Sequence, residues 1–281
     1  MNRLDTKKRA AVVAALVEGV SVRAATRMTG VSKPTILKLI ADLGAACQKF
    51  HGETVRGLQT RRIECDEVWS FVFAKAKNVP AKKRGLPGYG DVWTWTALDA
   101  ESKLIISWAV GDRDAGTAFE FMQDVAGRLS RRVQMTTDGH TVYLEAIEGA
   151  FGADIDYAML VKLYGCLPEK ETRYSPAQCI GTRVETITGA PNPFHISTSY
   201  VERQNLSMRM GMRRFTRLTN GFSKKLANHE AAIALYFVHY NFARVHQTLR
   251  VTPAMEAGIT DHVWTLQEII SLLESTERAK S

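Results

Sequence analysis

Three acidic residues stand where a carboxylate could do chemistry. Asp66 lies inside the stretch IECDEVWSFVF, whose β-branched and aromatic residues are typical of a strand. Asp138 closes a second such stretch, VQMTTD, and Glu202 opens a helical pattern with a basic face. A carboxylate within an apolar strand is costly unless it is paired or holds a cation. Strand alternation leaves open whether Asp66 or its neighbour Glu67 faces inward.

The chemistry that such acids support together is metal-dependent phosphoryl transfer. Three adjacent carboxylates repel one another and raise one another's pKa unless a divalent cation neutralises them. Mg²⁺ takes oxygen ligands and keeps open positions for water or phosphate oxygens. Two such ions, about 4 Å apart, stabilise the attacking and leaving oxygens of an in-line phosphoryl displacement. We therefore expect two divalent ions, Mg²⁺ or Mn²⁺, at Asp66, Asp138 and Glu202.

Each acid also has an ordinary structural interpretation. Asp66 could pair with an arginine, and Asp138, followed by Gly139, could be a turn residue. Glu202 could stabilise the N-terminus of its own helix. The hypothesis of a site therefore depends on the three residues together.

The elements that must position these acids follow from the apolar periodicity. Strands are predicted at 63–73, 92–100, 103–111, 133–138 and 156–165, and helices at 115–131, 140–151, 199–216 and 223–243. This order predicts an α/β fold with one mixed sheet flanked by helices. Residues 166–198 are rich in Pro, Gly and Thr, so we expect a long loop or an inserted excursion there.

Residues 1–45 are predicted to form a small all-α module. A helix at 6–18 precedes two further helices, with Gly30 as a stop between them, Ser32 as an N-cap and Gly44 as the final stop. Two short helices joined by a glycine-containing turn form a helix-turn-helix pattern, and a plain three-helix bundle is the alternative. The residues of the second helix that we expect to contact the DNA major groove are Lys33, Thr35 and Lys38.

The charge of the chain is positive and uneven. The 281 residues carry a net charge of +8, and residues 1–60 hold ten basic and four acidic side chains. Residues 203–225 hold seven basic side chains and no acid, and 75–84 hold five basic side chains. Such blocks indicate contact with a phosphate backbone. For any one block, a solvated basic surface is the alternative.

Composition excludes several other classes of protein. Hydrophobic residues make up 45% and charged residues 23%, as in globular proteins. No apolar run approaches the roughly 18 residues of a membrane span, and the N-terminus lacks the core of a signal peptide. Cys47, Cys65, Cys166 and Cys179 form no CxxC pair, so neither a disulfide framework nor a cysteine zinc site is expected. We expect a cytoplasmic, nucleoid-associated protein with no membrane partner.

Four segments of the chain resemble a known family. They are 63–72 (IECDEVWSFV), 136–140 (TTDGH), 199–225, which begins SYVERQN, and 240–258 (YNFARVHQTLRVTPAMEAG). Together they resemble DDE transposases of the insertion-sequence-one type. The last segment is similar to the signature that closes many transposase and integrase domains. The resemblance covers about 63–258 and, more loosely, the N-terminal module.

The resemblance implies a ribonuclease-H-like catalytic domain at 62–258, between a linker at 46–61 and a C-terminal helix at 259–281. In that family Asp66, Asp138 and Glu202 would be the metal-binding catalytic triad. The residues that would contact DNA near the scissile phosphate and along the backbone are Arg203, Gln204, Asn205, Arg209, Arg213 and Arg214. The interval from Asp138 to Glu202 is longer than in many relatives, which implies an insertion. Some relatives carry an N-terminal cysteine zinc module, and this sequence does not show one.

The implied reaction has two steps at one site. An activated water hydrolyses the phosphodiester at the end of a bacterial insertion sequence, and the freed 3′-hydroxyl attacks target DNA. The implied partners are double-stranded DNA and a second copy of the chain, at least a homodimer in the synaptic complex. The apolar residues of the C-terminal helix are a candidate contact between copies, although the helix could equally cap its own domain.

Three alternatives remain open at the level of sequence. A nuclease of the same fold would cut DNA and never join it. A regulator or a domesticated transposase would bind DNA without chemistry. A recombinase would use Tyr200 or Tyr240 as nucleophile, which leaves the acids unexplained.

Overall fold

The computed structural model describes residues 4–165, 179–216 and 220–278, the last four of these by backbone only. Within these ranges six strands form one sheet: β1 (Arg62–Val72), β2 (Gly90–Asp99), β3 (Ile105–Gly111), β4 (Val133–Thr137), β5 (Ile155–Tyr164) and β6 (Cys179–Thr188). The helices are α1 (Thr6–Val17), α2 (Val22–Thr29), α3 (Lys33–Thr54), α4 (Ala115–Ala126), α5 (Val142–Phe151), α6 (Ser199–Gly211), α7 (Leu226–Val238), α8 (Pro253–Glu256) and α9 (Leu266–Arg278).

The sheet has the strand order β3-β2-β1-β4-β5-β6. The first three strands are antiparallel neighbours, β1, β4 and β5 run parallel, and β6 returns antiparallel to β5. Helix α4 connects β3 to β4 and α5 connects β4 to β5. The predicted class is therefore confirmed, because this is a mixed α/β sheet with the order and directions of the ribonuclease-H-like fold.

Both faces of the sheet are covered by helices. Trp95 of β2, which lies opposite Glu67, packs its ring on Phe121 of α4 and Tyr143 of α5. On the other face, Trp108 of β3 packs on Phe237 of α7. Adjacent residues of a strand point to opposite faces, so consecutive residues of β1 reach two different helical layers.

Helices α2 and α3 begin, and α2 ends, where their capping residues indicate. Ser21 and Ser32 accept hydrogen bonds from the backbone N–H groups of Ala24 and Thr35, at 3.2 and 3.4 Å. Gly30 ends α2 in the left-handed conformation with φ of 69°. A helix, a tight turn and a second helix therefore stand where the sequence predicts them.

Helix α3 is longer than the sequence suggests. It does not stop at Gly44 and continues to Thr54, through much of the segment 46–61 that we expected as a linker. Its residue Cys47 is buried, and the His51 ring nitrogen lies 3.0 Å from the carbonyl oxygen of Ile105 in the sheet. This segment differs from a linker because its apolar face packs into the same core as the sheet.

One further segment differs from its expectation, whereas a C-terminal helix is present as expected. Residues 179–188, within the expected loop at 166–198, form β6, an edge strand that is largely exposed on both faces and therefore lacks apolar alternation. Cys166 and the rest of 166–178 lie outside the described residues. The C-terminal helix forms α9, which packs on α1 and α3 with Ile269, Ile270 and Leu273 buried inside the chain. Among the helices that the structure describes, none has both the length and the apolar character to cross a membrane.

Candidate active site

Two of the three predicted acids lie side by side at one end of the sheet. Strands β1 and β4 are parallel neighbours, and Cys65 of β1 is paired with Thr137 of β4. The residue that follows each of these is an aspartate, Asp66 and Asp138. The parallel register thus places the two carboxylates next to each other.

A third carboxylate joins them, and it is Glu67. Oxygen atoms of Asp66, Glu67 and Asp138 all lie within 4.8 Å of one another. Glu67 is buried, whereas Asp66 and Asp138 are half-buried. The structure therefore answers the question left open by strand alternation, because both neighbours on β1 contribute to the cluster.

The pKa values of this cluster are raised. Burial is the main cause for Asp66, followed by the charge of Asp138, and together they raise its pKa to about 6. Burial also raises the pKa of Glu67 to about 7, again followed by the charge of Asp138. Hydrogen bonds from the Glu67 N–H and the Asn205 Nδ2 group, both 2.8 Å long, oppose the rise at Asp66. Such shifts are typical of carboxylates that share a site.

Hard divalent cations fit this set of donors. The cluster offers carboxylate oxygens, which Mg²⁺ and Mn²⁺ prefer over nitrogen or sulfur ligands. A bound cation would also relieve the repulsion that raises the pKa values of Asp66 and Glu67. The residues are therefore suited to hold a metal ion by the chemistry of their side chains.

Arg113 is a residue of this site that the sequence analysis missed. Its Nη2 atom lies 3.1 Å from Glu67 Oε2 and 3.6 Å from Asp138 Oδ2, and its guanidinium stacks 4.8 Å from the centre of the Trp93 ring. Arg113 stands between the end of β3 and Asp114, the N-cap of α4. A basic residue in a strand-to-helix connection of this fold is the one signal that could have indicated it.

Glu202 lies beside the cluster and is not a member of it. It is in the first turn of α6, and both of its carboxylate oxygens contact Nζ of Lys162 on β5. The Thr198 hydroxyl also donates a hydrogen bond to Glu202 Oε1 at 2.6 Å. The charge of Glu202 nevertheless contributes to raising the pKa of Asp66. Lys162 was missed too, although it interrupts an apolar strand just as Asp66 does.

Helix α6 is anchored to β1 by a buried carboxylate. Glu64 Oε2 accepts hydrogen bonds from the backbone N–H groups of Tyr200 and Val201, at 2.7 and 3.0 Å. These N–H groups belong to the helix N-terminus, which favours an anion. Burial raises the pKa of Glu64, and these two bonds lower it in part. Glu64 thus fixes where α6 holds Glu202 relative to the sheet.

Two residues expected to contact DNA occupy a different environment. Gln204 and Asn205 are each 4% exposed, and the Asn205 amide donates its hydrogen bond to Asp66. Both side chains lie on the buried face of α6, away from solvent. This differs from the expectation of a DNA contact and indicates that Asn205 orients Asp66.

The other residues expected to contact DNA fall into two groups, one on α3 and one on and after α6. Lys33, Thr35 and Lys38 are exposed on the first turns of α3, and Lys38 pairs with Asp42 at 2.6 Å. Arg203 and Arg213 are exposed, Arg209 and Arg214 are partly buried, and Arg217 lies outside the described residues.

A cavity of about 610 Å³ is lined by Lys33 of the first group and by Arg213 and Arg214 of the second. It lies between the N-terminal helices and the segment before α7, and its basic lining residues are Arg23, Lys33, Arg213, Arg214 and Lys224. Among the lining residues that the structure describes, none is acidic. The Arg214 guanidinium donates to Ser223 Oγ at 2.6 Å, and burial lowers its pKa to about 10. The rest of the cavity lining includes apolar residues such as Leu37, Phe222 and Leu235.

The tyrosines considered as nucleophiles are held in structural contacts. Tyr240 is buried, and its hydroxyl donates a hydrogen bond to the carbonyl oxygen of Lys103 at 3.1 Å. Burial also raises the pKa of Tyr240. The Tyr200 ring lies under Lys103 Nζ, 3.2 Å from its centre. Neither arrangement activates a phenol as a nucleophile.

Comparison with known proteins finds similarity to solved structures at a distant level. No family model matches the chain, and no curated protein matches it. Among solved structures, the chain is similar to a piggyBac transposase in a synaptic complex with hairpin DNA. The identity is 14%, the match covers 99% of this chain and 73% of that chain, and the TM-score is 0.39.

Proposed function

We propose that the protein is a DDE-type transposase of a bacterial insertion sequence, acting on DNA by metal-dependent phosphoryl transfer. The observation that carries this proposal is the carboxylate cluster at adjacent parallel strands of a ribonuclease-H-like sheet. Glu202 beside the cluster and the basic cavity support the same interpretation. The chemistry is hydrolysis of the phosphodiester at the element end, followed by strand transfer into target DNA.

Each residue of the cluster has a role in this proposal. Asp66 and Asp138 hold a divalent ion, and Glu202 completes the triad. Bound Mg²⁺ or Mn²⁺ would supply Lewis-acid activation of the attacking oxygen and charge neutralisation at the phosphate. Asn205 fixes the orientation of Asp66, and Arg113 fixes that of Glu67 and Asp138. Donors that lock the rotamer of a ligand improve the precision of a metal site.

Basic residues in and around the cavity supply affinity for DNA. Lys33, with Thr35 and Lys38 on the same helix, reads the element end, while Arg203, Arg213 and Arg214 contact the phosphate backbone. Because Lys33 and Arg213 line one cavity, the same DNA can contact the N-terminal helices and the region after α6. The proposed assembly is at least a homodimer on double-stranded DNA, in the cytoplasm and associated with the nucleoid.

The test of this proposal is cleavage and joining of labelled DNA. The substrate carries the ends of the element that encodes the protein, with Mg²⁺ or Mn²⁺ present. Wild type is compared with Asp66→Asn, Asp138→Asn and Glu202→Gln, and with the exposed acid-to-amide control Glu53→Gln. We expect joined products from wild type and Glu53→Gln, and none from the other three while DNA binding survives.

Other outcomes identify the alternatives. Cleavage without joined products would favour a nuclease of the same fold. DNA binding with no cleavage in either metal would favour a regulator or a domesticated derivative. Full activity in Asp66→Asn would remove the cluster from the reaction altogether.

A further inference from the structure

Lys162 places a positive charge on Glu202, the acid that the proposed function needs as a metal ligand. Its ammonium group contacts both carboxylate oxygens, and Thr198 donates to one of them. Lys162 carries this charge on β5, whereas Asp66 and Asp138 belong to β1 and to the end of β4. A cation of the chain itself therefore contacts both carboxylate oxygens that Glu202 could offer to a metal ion.

Lys162 is also coupled to the carboxylate cluster. Partial burial lowers its pKa, but the hydrogen bond and charge of Glu202 and the more distant charge of Asp66 outweigh this, so the pKa is raised. The charge of Glu202 acts on Asp66 in turn. Lys162, Glu202 and Asp66 thus belong to one electrostatic system, although Asp66 has its own hydrogen-bond partners.

The formal charges of the site leave an excess of negative charge. Its acids are Asp66, Glu67, Asp138 and Glu202, and its cations are Arg113 and Lys162. Four carboxylates and two cations leave two negative charges in excess, which equals the charge of one divalent ion. A second divalent ion would make the site positive while Lys162 stays in place, and the ammonium would repel it.

We propose that Lys162 occupies the place of a second metal ion and holds Glu202 until that ion replaces it. With Lys162 on Glu202 the protein binds one divalent ion at Asp66 and Asp138. Glu202 becomes a ligand only after Lys162 withdraws, still protonated, so the exchange makes and breaks no covalent bond. This inference rests on the proposed metal-dependent function.

The ion pair is placed where it can open. The side chain of Lys162 is 31% exposed and that of Glu202 is 38% exposed, so the released ammonium can return to water. A lysine carries its charge on a flexible four-carbon stem, which allows this movement without a change of backbone. Arg113 differs, because its planar guanidinium contacts two acids and stacks on Trp93.

The test is the binding of Mn²⁺ in the absence of DNA, measured by the electron paramagnetic resonance signal of free Mn²⁺. Wild type is compared with Lys162→Met, which keeps the length of the side chain and removes its charge. Lys49→Met is the control, because it removes an exposed lysine that pairs with Glu53 at 3.8 Å. We expect Lys162→Met to bind a second Mn²⁺ about tenfold more tightly than wild type, since one repulsive charge is removed. The first ion should bind at least as tightly as in wild type, and the control should not change.

A second variant tests whether the tighter binding of the second Mn²⁺ ion depends on Glu202. Adding Glu202→Gln to Lys162→Met should abolish the second ion, because the released ligand is gone. Lys162→Gln, which is also uncharged, should reproduce Lys162→Met and guards against a folding defect, checked by circular dichroism.

The two proposals fail in different ways. Equal Mn²⁺ binding by wild type and Lys162→Met would overturn the role of Lys162 and leave the proposed function standing. No Mn²⁺ binding by any of these proteins would overturn the metal-dependent function and, with it, the role of Lys162.

Discussion

Substitution of Gly44 by alanine should loosen the contact between α3 and α7. A Cβ atom at Gly44 would lie 2.4 Å from both Cα and the carbonyl oxygen of Ala231, and 2.5 Å from its Cβ. Ordinary contacts of a Cβ atom begin near 3.4 Å. The atoms in conflict are mainly backbone, so the two helices must separate by about 1 Å for the new methyl group to fit.

Two contributions to the free energy of unfolding of Gly44→Ala have opposite signs. Alanine is favoured over glycine within a helix by about 1 kcal/mol. Overpacking of a close contact costs about 1–3 kcal/mol and more when backbone must move. The clash at Gly44 falls in the upper part of that range, so we expect a net loss of roughly 2 kcal/mol. For a chain of this size the melting temperature should fall by about 3–4 °C.

Gly52, in the same helix, is a matched control. A Cβ at Gly52 meets nothing within 4 Å, so Gly52→Ala should retain the helical gain alone. We expect a rise of about 0.5–1 kcal/mol in its free energy of unfolding. Urea and thermal unfolding of both variants measure the difference. If Gly44→Ala is as stable as wild type or more stable, α3 does not pack on α7 as described.

The remaining predictions concern the anchor of α6, acid stability and the affinity for DNA. Glu64→Ala should lower the free energy of unfolding by about 1–3 kcal/mol, because two buried N–H groups lose their acceptor; urea titration measures this, and a loss below 0.5 kcal/mol would contradict it. Burial, and after it the charge of Arg214, lowers the pKa of His229 to about 3 in the folded protein, so below pH 6.5 the unfolded chain takes up the proton first. Stability should therefore fall between about pH 6.5 and 3 by up to ~1.4 kcal/mol per pH unit, and His229→Asn should flatten this slope in unfolding titrations; an unchanged slope would argue against a neutral His229. Arg213→Ala should reduce the slope of log affinity for DNA against log salt concentration by about 0.9, whereas Lys49→Ala should leave the slope unchanged. The same slope for Arg213→Ala and wild type would show that Arg213 does not contact the phosphate backbone.

The sequence was informative where local patterns decide the structure. Strands β1 and β4 follow from β-branched and apolar stretches, and their parallel pairing brings Asp66 and Asp138 together. That pairing is typical of the predicted fold class, so these two neighbours could be foreseen. Alternation along β1 does not reveal that Glu67 belongs to the same cluster as Asp66. That depends on where Asp138 lies after the end of β4.

Long-range contacts could not be predicted from the sequence. Arg113 and Lys162 are far in sequence from the acids that they pair with, and no periodicity indicates such partners. Gly44 was interpreted as a helix stop, whereas the structure uses it for close approach of α7. A glycine serves both purposes, and only the partner helix distinguishes them. The exposed strand β6 lacks the apolar alternation that identifies half-buried strands.

The continuity of α3 has a mechanical consequence. Its 22 residues form one rod, about 33 Å long at 1.5 Å per residue. Lys33 stands at one end, while His51 near the other end contacts the sheet that carries the carboxylates. In the proposed function α3 fixes the distance along the DNA between the bases that its N-terminal end reads and the phosphodiester bond that is cut. One residue added within it would turn the reading end by about 100°, so the spacing on DNA is set by helix geometry rather than by a flexible tether.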